Sequence, residues 1–265
     1  MIKAAFFDVD GTLLSHTTRQ IPPDTKLALE HLRKTGIKIF MSTGRHILEL
    51  SHLPVNDIRF DGYIMLNGQL CLDTDRNPVF RSPLSMDASE KLGEIFNEKS
   101  IPLVMVEEKK IYINFITDKV RKAQADISSP VPDIGEYTGA PLYQATVYLP
   151  PREESSFLPL LPEGCRFTRW SPGGADIIPT GGGKVAGIKY FCDHLNIARE
   201  ETIAFGDAEN DLDMLNYAGI GVAMGNAQDH VKQCADYVTE DVDHGGIAKA
   251  LERFLSFSRQ KLMNI

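Results

Sequence analysis

Asp8 and Asp10 stand two residues apart in the stretch Phe6-Phe7-Asp8-Val9-Asp10-Gly11-Thr12. Phe6, Phe7 and Val9 ask for burial, and a carboxylate carried to the end of a buried strand is costly unless something pairs with it. A divalent cation would do so, and oxygen-only ligands favour a hard one such as Mg²⁺. Gly11 permits a tight turn directly after the strand. Taken alone, Asp10-Gly11 reads equally well as an ordinary turn.

Three later segments bear on that choice. Ser42-Thr43-Gly44-Arg45 follows a second apolar run, and there the Thr43 hydroxyl, Gly44 and nearby backbone N–H groups could hold a phosphate oxygen, or simply form a Thr-Gly turn that caps a helix. Gly181-Gly182-Gly183-Lys184 invites comparison with a nucleotide-binding P-loop, but Ile178 stands where the first glycine should be and Val185 where Ser or Thr should follow. Lys184 at a helix start opposes the helix dipole unless an anion sits there; otherwise it reads as a solvated surface lysine. In Gly206-Asp207-Ala208-Glu209-Asn210-Asp211, Asp207 comes directly after a buried run and could join Asp8 and Asp10 at a metal. Asn210 could donate to an anion, and Asp211 could orient the metal's water or hold Lys184. Glu209 and Asp213 fit an acidic helix start.

The elements that must position these residues alternate. A strand over Lys3 to Val9 leads to a helix carrying Leu27, Leu29 and Leu32, then a strand over Ile37 to Met41 and a short helix. That is the pattern of a parallel α/β sheet, whose ligand sites lie at the carboxyl ends of the strands. Tyr63 to Leu72 around Asn67-Gly68 predicts a hairpin with a type I′ turn. Between about Ser82 and Gly181 short strands mix with helical runs, at Met86 to Glu98, Lys119 to Ile127 and Arg152 to Leu160, which predicts an inserted α+β domain. After Gly183 the βα alternation resumes.

The 265 residues carry a net charge of −8, with 43% hydrophobic and 24% charged residues. This argues against a nucleic-acid binder, which needs a concentrated basic face. The four cysteines show no C-x-x-C spacing and predict no disulfide frame or zinc site. The apolar start is short and broken by Asp8 and Asp10, unlike a signal peptide, and no run approaches the roughly 18 apolar residues of a membrane helix. The expectation is a cytoplasmic protein without membrane or nucleic-acid partners.

D-x-D-G-T, Thr-Gly-Arg, a lysine after a long insertion and G-D-x-x-N-D, in this order and at strand ends, resemble the four motifs of haloacid dehalogenase-type phosphatases. The position of the insertion is similar to that of the Cof-type, sugar-phosphatase-like branch with its large α/β cap. The resemblance covers 1–81 and 182–265 as a Rossmann-like hydrolase core and the position of the insertion, 82–181, as an α+β cap, although the insertion's own residues match no motif. Val185 departs from the glycine that often follows the motif lysine, which puts only local packing in doubt.

The resemblance implies a Mg²⁺-dependent phosphatase acting on a small phosphorylated metabolite, a sugar phosphate foremost, as a monomer or weak homodimer. It assigns Asp8 as nucleophile and Asp10 as general acid and base. It assigns Mg²⁺ to Asp8, Asp207 and the backbone carbonyl of Asp10, phosphate binding to Thr43, Gly44, Lys184 and Asn210, and a supporting place around the site to Asp211. Glu107, Tyr112, Arg169 and Trp170 are the polar and aromatic candidates of the insertion for leaving-group contacts, against the plainer reading of each as scaffold or surface. A sugar phosphomutase and a non-catalytic sensor of phosphorylated ligands remain the alternatives.

Overall fold

The computed structural model describes residues 1–255 of the chain. In chain order the strands and helices are β1 (Ala4–Phe7), α1 (Pro23–Lys34), β2 (Lys38–Ser42), α2 (Ile47–Leu50), β3 (Gly62–Met65), β4 (Leu70–Asp73), β5 (Pro78–Arg81) and α3 (Met86–Glu98). Then come β6 (Leu103–Val106), β7 (Ile111–Ile113), α4 (Asp118–Asp126), β8 (Gln144–Val147), α5 (Glu154–Phe157), β9 (Cys165–Ser171) and β10 (Gly174–Pro179). The chain continues through α6 (Lys184–Leu195), β11 (Thr202–Gly206), α7 (Leu212–Tyr217), β12 (Ile220–Ala223), α8 (Asp229–Cys234), β13 (Tyr237–Val238) and α9 (Gly246–Leu255).

The strands form two sheets. The first runs β13-β12-β11-β1-β2-β3-β4-β5, parallel from β13 to β3 and antiparallel thereafter. Its strands alternate their side chains between two cores. Ala5 and Phe7 pack with Leu29 and Leu32 of α1 and Ile247 and Leu251 of α9. Ala4 and Phe6 pack with Ile188 and Phe191 of α6 and Met214 and Leu215 of α7. Burial on both faces explains why β1, β2 and β11 read as unbroken apolar runs. Phe6 stacks on Phe40 and Phe7 on Phe205, which locks the three central strands side by side.

The second sheet, β7-β6-β8-β10-β9, is antiparallel. α3 covers one face through Leu92, Ile95 and Phe96, which meet Leu103, Met105 and Ala145. Ser85 caps that helix by accepting from the Ala88 N–H, and Thr117 caps α4 by accepting from the Val120 N–H. Val104, Val106, Thr146 and Asp176 of the other face border a cavity that also reaches Asp8 and Asp10 of the first sheet.

Two local expectations are corrected. The β3–β4 hairpin forms, but its last pair is Met65 with Leu70, and Leu66, Asn67 and Gly68 between them all have positive φ, so the turn is not type I′. Close packing enforces this path: a Cβ on Gly68 would lie 2.0 Å from the Gly183 carbonyl oxygen. The run from Arg152 to Leu160 is not one helix; α5 is a single turn between two 3₁₀ turns, with Pro151 and Pro159 in the flanking turns. Among the described residues no helix is long and apolar enough to cross a membrane.

Candidate active site

Adjacent parallel strands bring the carboxylates together. β1 pairs with β11 in the register Phe7 to Phe205, and the Asp8 N–H donates to the Phe205 carbonyl at 3.0 Å. Asp8 therefore leaves the sheet beside Gly206 and Asp207. Oxygens of Asp8, Asp207 and Asp211 all lie within 4.8 Å of one another. Lys184 opens α6 but is fully buried, not solvated: its Nζ donates to Asp8 Oδ1 at 2.6 Å and to Asp211 Oδ1 at 2.5 Å. The other oxygen of Asp211 accepts the backbone N–H groups of Asp207 and Ala208 at 2.9 and 3.0 Å. Asp211 thus holds Lys184, one of the two tasks the sequence left open for it.

One ammonium faces three carboxylates. Burial, with repulsion from Asp211, pushes Asp8 up to about 7 despite Lys184. Burial, then Asp8 and Asp211, raise Asp207 well above the usual carboxylate range. Such a set is short of positive charge, and its donors are all oxygen. A hard divalent cation fits both facts.

Asp10 departs from this cluster. Its carboxylate takes two hydrogen bonds from Arg45, 2.6 Å from Nε and 2.8 Å from Nη2. Thr43 lies at the end of β2, where its hydroxyl accepts the Arg45 N–H at 3.2 Å. The Gly44 carbonyl accepts from Gln144 Nε2 at 3.2 Å, and Asn210 Nδ2 donates to Asn67 Oδ1 at 3.0 Å. Asp8, Asp10, Thr43, Gly44, Asp207 and Asn210 all border one cavity of about 590 Å³.

Several residues here escaped the sequence reading. Thr12 donates to Asp207 Oδ1 at 3.0 Å, and Asn226 Nδ2 donates to Asp207 Oδ2 at 3.1 Å and to the Gly11 carbonyl at 2.9 Å. Arg45 was visible in its motif, but the direction of its side chain was not. Asp176 lies in the second sheet with its side chain buried, and burial pushes it up to about 7 against the donors around it. It sits in the apolar run Ala175-Asp176-Ile177-Ile178, the same signal that singled out Asp8. Of the four groups read as scaffold or surface, Arg169 and Trp170 border the cavity, whereas the Tyr112 hydroxyl donates to Glu107 at 2.7 Å.

The family model of haloacid dehalogenase-like hydrolases matches residues 5–251, and the chain belongs to that family. Within it the chain is a phosphatase, a phosphoric monoester hydrolase. It is similar to the YkrA protein of Bacillus subtilis (strain 168), with 30% identity over 253 residues that cover 94% of this chain and 96% of that protein. It is also similar to the 5-amino-6-(5-phospho-D-ribitylamino)uracil phosphatase YitU of the same organism, at 28% identity over 264 residues, 94% of this chain and 96% of that one. Among solved structures, the subclass IIB sugar phosphatase BT4131 superposes with a TM-score of 0.86 at 36% identity, covering 96% of this chain and all of that chain, 100%.

Proposed function

We propose that the protein is a Mg²⁺-dependent phosphatase of small phosphate monoesters, sugar phosphates foremost, which works through an aspartyl-phosphate on Asp8. The observation that carries this reading is the meeting of Asp8, Asp207 and Asp211 around the buried Lys184. Asp8, Asp207 and the Asp10 carbonyl would hold Mg²⁺, which when bound offsets the like charge of carboxylate and phosphate.

In the first step an Asp8 carboxylate oxygen forms a bond to phosphorus as the ester P–O bond breaks, and Asp10 gives its proton to the departing oxygen. In the second, Asp10 takes a proton from water, the water oxygen bonds to phosphorus, and Asp8 is released as a carboxylate with inorganic phosphate. Lys184, the Thr43 hydroxyl, the Gly44 backbone and Asn210 would bind the phosphoryl oxygens, most strongly as charge shifts in the transition state. Asp211 keeps Lys184 in place. Residues 1–81 and 182–265, of which 256–265 lie outside the described residues, are read as the hydrolase core and 82–181 as a cap that closes over the phosphate and excludes water.

The likeness to a sugar phosphatase and to a phosphatase of a phosphorylated ribitylamino compound supports a polyhydroxylated leaving group. The cavity offers such a group polar atoms from Gln144, Thr146 and Asp176 beside the apolar surface of Val104, Val106 and Trp170. Phosphate release from a panel of sugar and polyol phosphates, with Mg²⁺ and with EDTA, tests the proposal. Release that needs Mg²⁺ and disappears in Asp8→Asn supports it. Conversion of a monophosphate ester to an isomer without free phosphate would instead identify a mutase.

A further inference from the structure

Asn67 has a role that neither a turn nor the phosphatase mechanism requires. It is 1% exposed, and its amide meets three polar partners. Nδ2 donates to Asp176 Oδ2 at 2.8 Å and to Gln144 Oε1 at 2.9 Å, while Oδ1 accepts from Asn210 Nδ2 at 3.0 Å. Gln144 in turn donates to the Gly44 carbonyl at 3.2 Å. Asp176 Oδ1 accepts from the Thr146 hydroxyl at 2.8 Å and from Trp170 Nε1 at 3.2 Å. Asp176, Gln144, Thr146 and Trp170 belong to the second sheet, whereas Gly44, Asn67 and Asn210 follow strands of the first.

The polarity of this chain has one source. A primary amide has a donor end and an acceptor end, and either can face a given neighbour. An ionised carboxylate only accepts, and Asp176 is ionised on the alkaline side of about 7. Asp176 therefore turns the Asn67 NH₂ toward itself, which leaves Oδ1 facing Asn210. Asn210 must then present its NH₂, one N–H of which Asn67 takes. Gln144 must present its oxygen to Asn67 and its NH₂ to Gly44. One carboxylate in the second sheet sets the direction of three amides, and two of these end on Asn210 and Gly44. The backbone of Asn67 is held in the left-handed region, φ 51° and ψ 40°, between two other residues of positive φ, so this side chain is placed by a loop specialised for it.

We propose that Asp176 and Asn67 are positioning residues for phosphate: Asp176, through Asn67, aligns Asn210 and the Gly44 peptide when the second sheet lies over the first. The inference rests on the reading of Asn210 and Gly44 as phosphate holders. It ties that half of the site to closure, because Asp176 reaches Asn67 only when the two sheets are together.

Affinity for inorganic phosphate, measured by calorimetry with Mg²⁺ present and at mildly alkaline pH, is the test. Phosphate has no leaving group, so a residue that acts by touching the leaving group would not affect this affinity. In Asp176→Asn the amide oxygen stays with Trp170 Nε1, which can only donate, so the new NH₂ faces the Asn67 NH₂ and should weaken phosphate about tenfold. Asn210→Ala should do the same, and the double variant should fall below Asn210→Ala by less than the full Asp176→Asn loss, because only the Gly44 branch is then left to lose. Exchange of the pair, Asn67→Asp with Asp176→Asn, keeps the charge and an acceptor toward Asn210. It should recover part of the lost affinity, with thermal unfolding as the check that each variant is folded. Unchanged phosphate affinity in Asp176→Asn beside an effective Asn210→Ala overturns the relay alone, as do fully additive losses or an exchanged pair no better than the single variant. A silent Asn210→Ala overturns the phosphate assignment itself, and the relay with it.

Discussion

The Arg45 guanidinium grips both oxygens of the Asp10 carboxylate, Nε to Oδ2 at 2.6 Å and Nη2 to Oδ1 at 2.8 Å. Burial by itself would raise the Asp10 pKa, but the charge and hydrogen bonds of Arg45 outweigh it and hold the group below its usual value. In the proposed cycle Asp10 enters the first step protonated, against the pull of Arg45, and must be ionised to accept a proton from water in the second. Arg45 therefore favours the second step and the acidic limb. Arg45→Met removes the clamp and lets the Asp10 pKa rise. The acidic limb of the kcat profile should then move to higher pH by about one unit or more. An unshifted limb would show that Arg45 does not tune Asp10.

Lys184 is fully buried between Asp8 and Asp211. Lys184→Met leaves two buried carboxylates without their cation, a change that costs about 3–5 kcal/mol when both are charged. In the metal-free protein the folded Asp8 pKa, about 7, lies above its unfolded value, so this group binds more protons when folded and stability falls as pH rises through that window. Loss of Lys184 steepens the fall. Urea unfolding of metal-free wild type and variant at mildly acid and mildly alkaline pH should show the larger deficit on the alkaline side. An equal deficit at both would contradict the burial account.

Protons and metal compete for Asp8 and Asp207, because both carboxyls are raised and both must be ionised to act as ligands. Mg²⁺ affinity should therefore weaken as pH drops through about 7, and the thermal stabilisation by Mg²⁺ should shrink in parallel. EDTA should reverse the stabilisation and abolish phosphate release, and Asp207→Asn should lose the Mg²⁺-dependent thermal shift. A wild-type melting point indifferent to Mg²⁺ would contradict a metal at these carboxylates.

Gly11 has φ +85°, and a Cβ there would lie 2.3 Å from Asp207 Oδ2. Gly11→Ala adds backbone strain of about 1–2 kcal/mol and displaces the Asp207 carboxylate from Thr12 and Asn226. The variant should remain folded by circular dichroism while Mg²⁺ affinity falls at least tenfold, about 1.4 kcal/mol. Wild-type Mg²⁺ binding would show that Asp207 adjusts freely.

What could be read from the sequence follows a physical rule. Asp8 and Asp207 were conspicuous because a charge at the end of a buried apolar run needs a partner, and parallel strands bring such ends together. The parallel sheet was legible for the same reason, since β1, β2 and β11 are apolar on both faces. Less legible were residues defined by direction and not by type. Asn67-Gly68 has the composition of a two-residue turn, and only the approach of Gly183, Asp176 and Asn210 shows why the chain takes another path. Arg45 could have pointed anywhere until Asp10 was seen beneath it. Lys184 in its own segment read as either an anion holder or a solvated lysine, because the acids that bury it, Asp8 and Asp211, lie 176 and 27 positions away in the chain.

The central claim is that Asp8 accepts the phosphoryl group. Rapid acid quench of the Mg²⁺-loaded enzyme during turnover of a hydrolysed sugar phosphate, followed by peptide mass spectrometry, addresses it directly. A phosphoryl adduct on Asp8, formed and consumed at rates compatible with turnover and absent from Asp8→Asn, is the expected result. An adduct on another side chain, or normal turnover by the Asp8→Asn protein, would contradict it.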